Sequence, residues 1–379
     1  MFRSRLFAPG PVEVPPDVLA AMARPVVHHR TAGFRALFGA VREKLAEVTL
    51  VPGDDVLILS GSGTSAFEAG MLSCVPAGAK VVSVGGGKFG ERWADLARTY
   101  GFEVVEMAVP WGRAAEPARL AAVLSEHPDA AAVTMAHSET STGVLHDVER
   151  LAAAVRAHAP EALVLVDCVT SLSVAPVRPR QWGLDGVFFG SQKGLMLPPG
   201  LAFAWLSARA WERDRDLIPS FYLDLRRERA KQRRDETAYT PAVSLVFGLD
   251  VALDLMLAEG MDRVWTRRER NNRAVLAAGE AMGLASYAER VSPSLAAMRT
   301  PDGISAPDVV TSVAALGARI AGGQDDAKPY LIRPSVLGWF DGYDAVALAA
   351  ILEDALRNVG MNVPTGTGPR AAMGVLVRD

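Results

Sequence analysis

Short, mostly apolar runs alternate with helix-forming segments through the first two-thirds of the chain. The runs lie at residues 56–60 (VLILS), 80–84 (KVVSV), 103–107 (EVVEM), 131–137 (AAVTMAH), 162–167 (ALVLVD), 186–190 (GVFFG) and 201–206 (LAFAWL). The segments at 64–74, 89–100, 120–125 and 147–157 read as helices, the last with an acidic start. Runs that are apolar throughout, rather than alternating, belong to strands covered on both faces. Strands interleaved with helices give a mostly parallel sheet with right-handed crossovers. The predicted fold is therefore α/β, with a three-layer αβα large domain. Ligands of such a sheet bind outside the carboxyl ends of its strands.

Residues 240–260 and 261–282 read as two long helices. A shorter α+β pattern follows: 309–315 fits strand or helix, 330–333 a strand, and 343–358 an amphipathic helix. The tail at 364–379 contains Gly and Pro and reads as irregular at its start. A chain of 379 residues exceeds what one core usually serves. We expect a large domain over 1–258, with an N-terminal segment at 1–20, and a smaller α+β C-terminal domain over 259–379.

Composition removes several function classes. The net charge of −3 gives no reason to expect nucleic acid. The basic run Arg226, Arg227, Arg229, Lys231, Arg233 and Arg234 reads as a solvated helix face. Two cysteines, Cys74 and Cys168, make no disulfide framework and are fewer than the roughly four thiols of an iron–sulfur cluster. The histidines show no metal-ligand spacing. No apolar run is long enough for a signal peptide or a span. The expectation is a cytoplasmic protein with no metal and no membrane partner.

What ends each strand carries the chemistry. After 56–60 come Gly61, Ser62, Gly63, Thr64 and Ser65, leading into a helix. Glycines let the backbone approach an anion, and the helix N-terminus offers free N–H groups and a positive dipole end. The hydroxyls of Thr64 and Ser65 add donors. Residues 162–167 end on Asp167, a carboxylate that is costly there without a partner; it either caps its loop or faces a ligand cation. After 186–190 come Ser191, Gln192 and Lys193. A lysine at a buried strand end is unusual, and the burial that disfavours its charge suits Schiff-base chemistry. A phosphate cradle, an acid and an amine at three strand ends are what pyridoxal 5′-phosphate requires.

These residues resemble the class V aminotransferases of fold type I, in the serine/alanine–glyoxylate group. The resemblance rests on SGSGT at 60–64, GKFGERW at 87–93, HSETSTGV at 137–144 and VDCVTSL at 166–172. It continues through GSQKGLMLPPGLAF at 190–203, FYLDL at 221–225, YTPAVSL at 239–245 and AGGQ at 321–324. It implies that Lys193 carries the cofactor as a Schiff base and that Asp167 pairs with the pyridine nitrogen. Val169 and Phe89 would cover the two ring faces, with Thr140 beside the ring. Ser62, Gly63, Thr64 and Gln192 would hold the phosphate. Tyr239 and Thr240 would reach that phosphate from a second copy, making the enzyme a homodimer. Gly10 would contact the substrate carboxylate by its backbone, and Arg333 would grip it. Members of the group commonly read RIGH-x-G at this last position, whereas this chain reads Arg333, Pro334, Ser335, Val336, Leu337, Gly338. The arginine and glycine keep their spacing, but the residues between differ. The implied reaction moves an amino group from serine or alanine to glyoxylate or pyruvate by a ping-pong mechanism.

Three rival readings fit less well. Gly61, Gly63 and Ala66 satisfy a dinucleotide fingerprint, but the acid expected about 20 residues on is replaced by Gly85, Gly86 and Gly87. A desulfurase or lyase of the same fold remains an alternative, although neither cysteine lies in a predicted mobile loop. A non-catalytic binding protein would have no need of Lys193, Asp167 and Arg333 together.

Overall fold

The computed structural model describes residues 4–377. Its centre is a seven-stranded sheet of β1 (Val56–Gly61), β2 (Lys80–Val84), β3 (Glu103–Met107), β4 (Ala132–Ala136), β5 (Leu163–Asp167), β6 (Gly186–Gly190) and β7 (Gly200–Leu206), in the order β1-β7-β6-β5-β4-β2-β3. β7 is antiparallel to both neighbours, and every other pairing is parallel. β1 consequently runs in the same direction as β5 and β6, so the carboxyl ends of all three open on one edge.

Neighbouring strand residues face opposite layers, as the pleat requires. Leu57, Val81 and Leu163 pack with Phe67, Met71 and Trp93 on one side. Ile58, Val82 and Val164 pack with Phe38, Leu45, Val155 and Leu253 on the other. This two-sided burial is why the interior strands read as apolar runs, whereas the edge strand β3 is partly exposed and keeps Glu103 and Glu106.

Helices Pro16–Met22 and Ala32–Val48 lie outside the predicted elements. The second has Phe34, Phe38, Val41 and Leu45 buried at spacings of one turn, and the Thr31 hydroxyl caps it by accepting from the Phe34 amide at 3.3 Å. The helix read at 240–260 begins only at Val243, after Pro241 (Val243–Glu259), and the segment read at 120–125 is a longer helix, Pro117–Glu126. The basic run starts on the helix Leu225–Gln232 and continues past it; Arg227, Arg233 and Arg234 are exposed as expected, while part of the run is also tied down. Arg229 and Arg233 each place Nε 2.8 Å from Asp55 Oδ2, and Arg226 holds the carbonyls of Trp211 and Arg213.

Beyond helix Met261–Ala281, a second, antiparallel sheet carries Ala285–Ser286, Met298–Arg299, Leu331–Arg333 and Ala321–Gly322, in that order. Residues 309–315 resolve as part of helix Ala306–Ala315, and the tail forms a helix at Thr367–Leu376. A separate core gathers Ile332, Leu348, Leu352 and Met298. Phe7 joins it, because Arg5–Leu6 pairs in parallel with Ala318–Arg319.

The helix Gly63–Cys74 lies close on β6. A Cβ at Gly70 would stand 2.1 Å from Phe188 Cε1. Alanine is the better helix former by about 1 kcal/mol, but overpacking costs about 1–3 kcal/mol, so the clash should win. Gly70→Ala should lower the urea midpoint at unchanged slope, and Phe188→Leu in the same chain should recover part of the loss. An unchanged midpoint in Gly70→Ala would contradict this packing.

Candidate active site

The site begins with two adjacent strand ends. β5 stops on Asp167, and β6 continues through Ser191 and Gln192 to Lys193. Ser191 closes the loop that presents the lysine: its hydroxyl donates to the Pro198 carbonyl at 2.7 Å and accepts from the Leu201 amide at 3.2 Å. Asp167 is 5% exposed and Lys193 8% exposed. Burial pulls the Lys193 ammonium down to about 8; the charge of Asp167 opposes that, while Arg333 and Arg92 reinforce it. Burial lifts Asp167 to about 7, offset in part by the Val169 amide donating to Oδ1 at 2.8 Å. Asp167 thus caps its own turn as well as facing the lysine's field. The Lys193 Nζ donates to the Pro9 carbonyl. Gly10 follows at φ +126°, and a Cβ there would lie 2.4 Å from that Nζ, so glycine alone fits the turn.

The cradle assembles beside this pair. A Cβ on Gly63 would meet Val169 Cγ2 at 2.3 Å, so the start of helix Gly63–Cys74 touches the loop after Asp167. A Cβ on Gly190 would lie 2.7 Å from Gln192 Oε1 and 3.3 Å from the Gly63 nitrogen. Ser62, Gly63, Thr64, Gln192 and Val169 therefore converge on one spot. Gln192 Oε1 is buried without a protein partner. Ser65 is different: its hydroxyl donates to the Ser62 carbonyl at 2.7 Å and accepts from the Ser62 amide at 3.1 Å. That hydroxyl is engaged in the local turn.

Phe89 stands half-buried in the first turn of helix Lys88–Thr99, with the Arg92 guanidinium 4.8 Å from its ring centre. Thr140 is buried, its hydroxyl 2.6 Å from that of Thr170. Arg333, 7% exposed, reaches across from the second sheet. Its Nε donates to the Gly322 carbonyl and its Nη1 to the Thr140 carbonyl, both at 2.7 Å. Burial lowers Arg333 to about 10, against the opposing charge of Glu139. Arg333 forms no ion pair with Asp341, the acid eight residues on; that carboxylate caps helix Gly342–Asn358 by accepting from the Asp344 amide at 2.9 Å. Lys88 and Asp325 add a second crossing between the two sheets, 2.5 Å apart.

Tyr239 and Thr240 are not drawn into this cluster within one chain. The Tyr239 hydroxyl donates to the Phe221 carbonyl and receives from Arg227 Nη1 at 3.3 Å; Thr240 is exposed. Sequence reasoning missed Pro9 and Glu139. Pro9 acts through its carbonyl and leaves no side-chain signal. Glu139 follows the strand read at 131–137, where the strand-end rule that found Asp167 would have found it. It is fully buried, in contact with the Phe89 and Gly90 amides and with Ser141.

The residues fit a phosphate-bearing pyridine aldehyde. An amine poised near neutrality sits beside an acid, and a glycine-lined helix start, whose free N–H groups can donate to an anion, lies next to both. Among the described residues no group of His, Cys, Asp and Glu is arranged to hold a metal ion. No helix among them is long and apolar enough to cross a membrane.

Comparison with known proteins agrees. The family profile of aminotransferase class V matches residues 6–338. A protein of a Synechococcus strain named soluble hydrogenase, small subunit, is 38% identical over 99% of this chain and 98% of its own. The crystal structure of a Thermus thermophilus aspartate aminotransferase of subgroup IV superposes with a TM-score of 0.88 at 38% identity, covering 94% of this chain and 99% of that one. The alanine–glyoxylate aminotransferase of a Nostoc species superposes with a TM-score of 0.88 at 30% identity, covering 94% and 96%. The chain, with its strand-end lysine and acid, belongs to the class V aminotransferases, and its cofactor is pyridoxal 5′-phosphate.

Proposed function

We propose that the enzyme moves an amino group from a small amino acid, serine or alanine, to a small 2-oxo acid, glyoxylate or pyruvate, in a ping-pong cycle. The observation that carries this reading is the burial of Lys193 and Asp167 at adjacent strand ends, within each other's field, with Arg333 reaching the Thr140 carbonyl from the second sheet. The Nostoc and Thermus relatives, named for alanine, glyoxylate and aspartate, support the substrate class.

When bound, pyridoxal 5′-phosphate supplies an electron sink that acidifies the substrate Cα–H. Lys193 would hold the cofactor through Nζ and, once released, take and return the proton at Cα. An amine lowered to about 8 is partly neutral at working pH, which suits a general base. Asp167 would keep a proton on the ring nitrogen, whose positive charge would favour the ionised carboxylate. Val169 and Phe89 would cover the ring and Thr140 flank it, while Ser62, Gly63, Thr64 and Gln192 would hold the phosphate. Gly10 would offer its backbone to the substrate carboxylate. Arg333 has two of its nitrogens committed to carbonyls, which fixes where the remaining N–H groups point. That preset fork would orient the same carboxylate.

The division into a large domain over 1–258 and a smaller one over 259–379 would let the crevice open about the Lys88–Asp325 and Arg333–Thr140 crossings. A homodimer would bring Tyr239 and Thr240 to a second copy's phosphate site. The exposed Val26, Phe221 and Tyr222 near that segment support such an interface. Two buried cysteines held as free thiols favour the cytoplasm.

Three measurements test this reading. First, the amino-donor half-reaction, followed by the cofactor's visible spectrum, should proceed with serine or alanine and be reversed by glyoxylate or pyruvate; inertness to all four would overturn it. Second, cofactor uptake by the apoenzyme should rise with pH through about 8, because only the neutral Lys193 amine can react. Asp167 holds that value up, so Asp167→Asn should move the midpoint downward and slow transamination on the order of 10³-fold, several kcal/mol of barrier. An unmoved midpoint, or transamination within about tenfold of the parent enzyme, would remove Asp167 from this role. Third, Arg333→Lys keeps the charge but loses the fork. It should lower kcat/KM for amino and oxo acids about tenfold to hundredfold, the worth of one charge-assisted bond, with cofactor affinity unchanged. Loss of cofactor with KM unaltered would make Arg333 purely structural.

A further inference from the structure

We infer that Glu139 is a positioning residue that sets Phe89 and Arg333 in register with one another. The inference rests on the reading of Arg333 as the carboxylate grip. Glu139 lies just past β4, on the short strand Ser138–Glu139, and is wholly buried. Its Oε2 accepts from the Gly90 amide at 2.9 Å and the Phe89 amide at 3.1 Å. Its Oε1 accepts from the Ser141 amide at 3.0 Å and the Ser141 hydroxyl at 2.6 Å. That hydroxyl in turn accepts from the Lys88 amide at 3.1 Å. Glu139 and Ser141 together thus satisfy the first three amides of helix Lys88–Thr99, groups that have no partner inside the helix. The approach is close enough that a Cβ on Gly87 would stand 2.6 Å from the Glu139 carboxyl carbon.

The same short stretch reaches the other side of the crevice. The Thr140 carbonyl accepts from Arg333 Nη1, and the Thr140 hydroxyl meets Thr170 in the loop after Asp167. One buried carboxylate therefore fixes the segment that holds the aromatic helix start, the loop of the acid and the arginine. Nothing in the reaction described above uses Glu139 directly.

The chemistry of the surrounding groups explains why an acid is needed. Every group directed at Glu139 donates, and three of them are backbone N–H groups that can only donate. A carboxylate has two accepting oxygens for them. A glutamine of the same shape has one, and either orientation of its amide would point an NH₂ at a backbone N–H. The first turn of the helix or the 139–141 turn must then shift, and the Thr140 carbonyl shifts with it.

The test uses Glu139→Gln, Arg333→Lys and the double variant as holoenzymes, titrated with propionate, a carboxylate without an amino group, by the visible spectrum of the cofactor. Hydrogen exchange of the peptide spanning residues 87–92 is read in the apoproteins. Glu139→Gln should raise the propionate Kd about tenfold, speed exchange of that peptide about tenfold, and, combined with Arg333→Lys, give a loss well short of the product of the two single losses. An unchanged Kd in Glu139→Gln, or losses that multiply, would overturn the inference while leaving Arg333 in place. An unchanged Kd in Arg333→Lys would remove the underlying reading and this inference with it. Should Glu139→Gln fail to fold, Ser141→Ala removes one donor to Glu139 and the acceptor of the Lys88 amide and should still raise the Kd severalfold; no change there would equally overturn it.

Discussion

Asp167 and Lys193 are held where water would hydrate both, yet almost none reaches them. Burial pushes the amine down and the acid up, each toward its neutral form, while their mutual field opposes both shifts. The linkage has a definite sign. Lys193 is depressed to about 8, so its burial costs stability below that pH and stops doing so above its ordinary value of 10.5. Asp167 is raised to about 7, so its burial costs stability above that pH and not below its ordinary value of 3.8. Between about pH 7 and 8 the apoprotein bears both costs, on the order of a few kcal/mol each. A bound cofactor that takes up the amine and offers a cation to the acid would relieve both. The fold around the pair must therefore be stable without that relief.

The sheet provides that stability by placing the pair at its most covered point. β5 and β6 lie in the interior of the strand order, with apolar layers on both faces. The polar groups nearby are committed before any ligand arrives: Ser191 to its loop, Asp167 Oδ1 to the Val169 amide, Lys193 to the Pro9 carbonyl. Gln192 Oε1 and the Ser171 and Ser173 hydroxyls are left over, buried without a protein partner.

The strands and the site chemistry were readable because each rests on a local signal. A parallel strand buried on both faces is an apolar run, and a charged residue at its end stands out against that run. Signals that depend on distant partners were not readable. Residues 309–315 are short and apolar, which fits either period, and only packing against helix Gly342–Asn358 and strand Leu331–Arg333 selects a helix. The basic run owes its fixed face to Asp55, more than 170 residues away in sequence. Ser65 has the residue type of a phosphate ligand, but its hydroxyl donates to the nearby Ser62 carbonyl. Helix Ala32–Val48 did have a local signal, its turn-spaced apolar residues after Thr31, and so did Glu139 after its strand.

The departure from RIGH-x-G between Arg333 and Gly338 bears on how the two halves of the site stay aligned. Pro334 has no amide to satisfy and uses its carbonyl to accept from the Ala296 amide at 2.9 Å. Ser335 donates its amide to the Phe7 carbonyl and its hydroxyl to the Ser294 carbonyl, both at 2.8 Å. Val336 and Leu337 are buried, and Gly338 turns at φ +82° where a Cβ would strike the Glu13 carbonyl at 2.7 Å. The stretch is therefore a fully bonded connection, not a loose one. Arg268 completes it. This wholly buried guanidinium, lowered to about 9 by burial, gives Nη1 to the Val336 and Gly338 carbonyls at 3.1 Å each. Its Nη2 extends toward the Gly194 carbonyl, beside Lys193, at 3.5 Å. A charge with only neutral acceptors is costly to bury. Its position is intelligible as a tie between the connection that follows Arg333 and the loop that presents Lys193, which hang from different sheets.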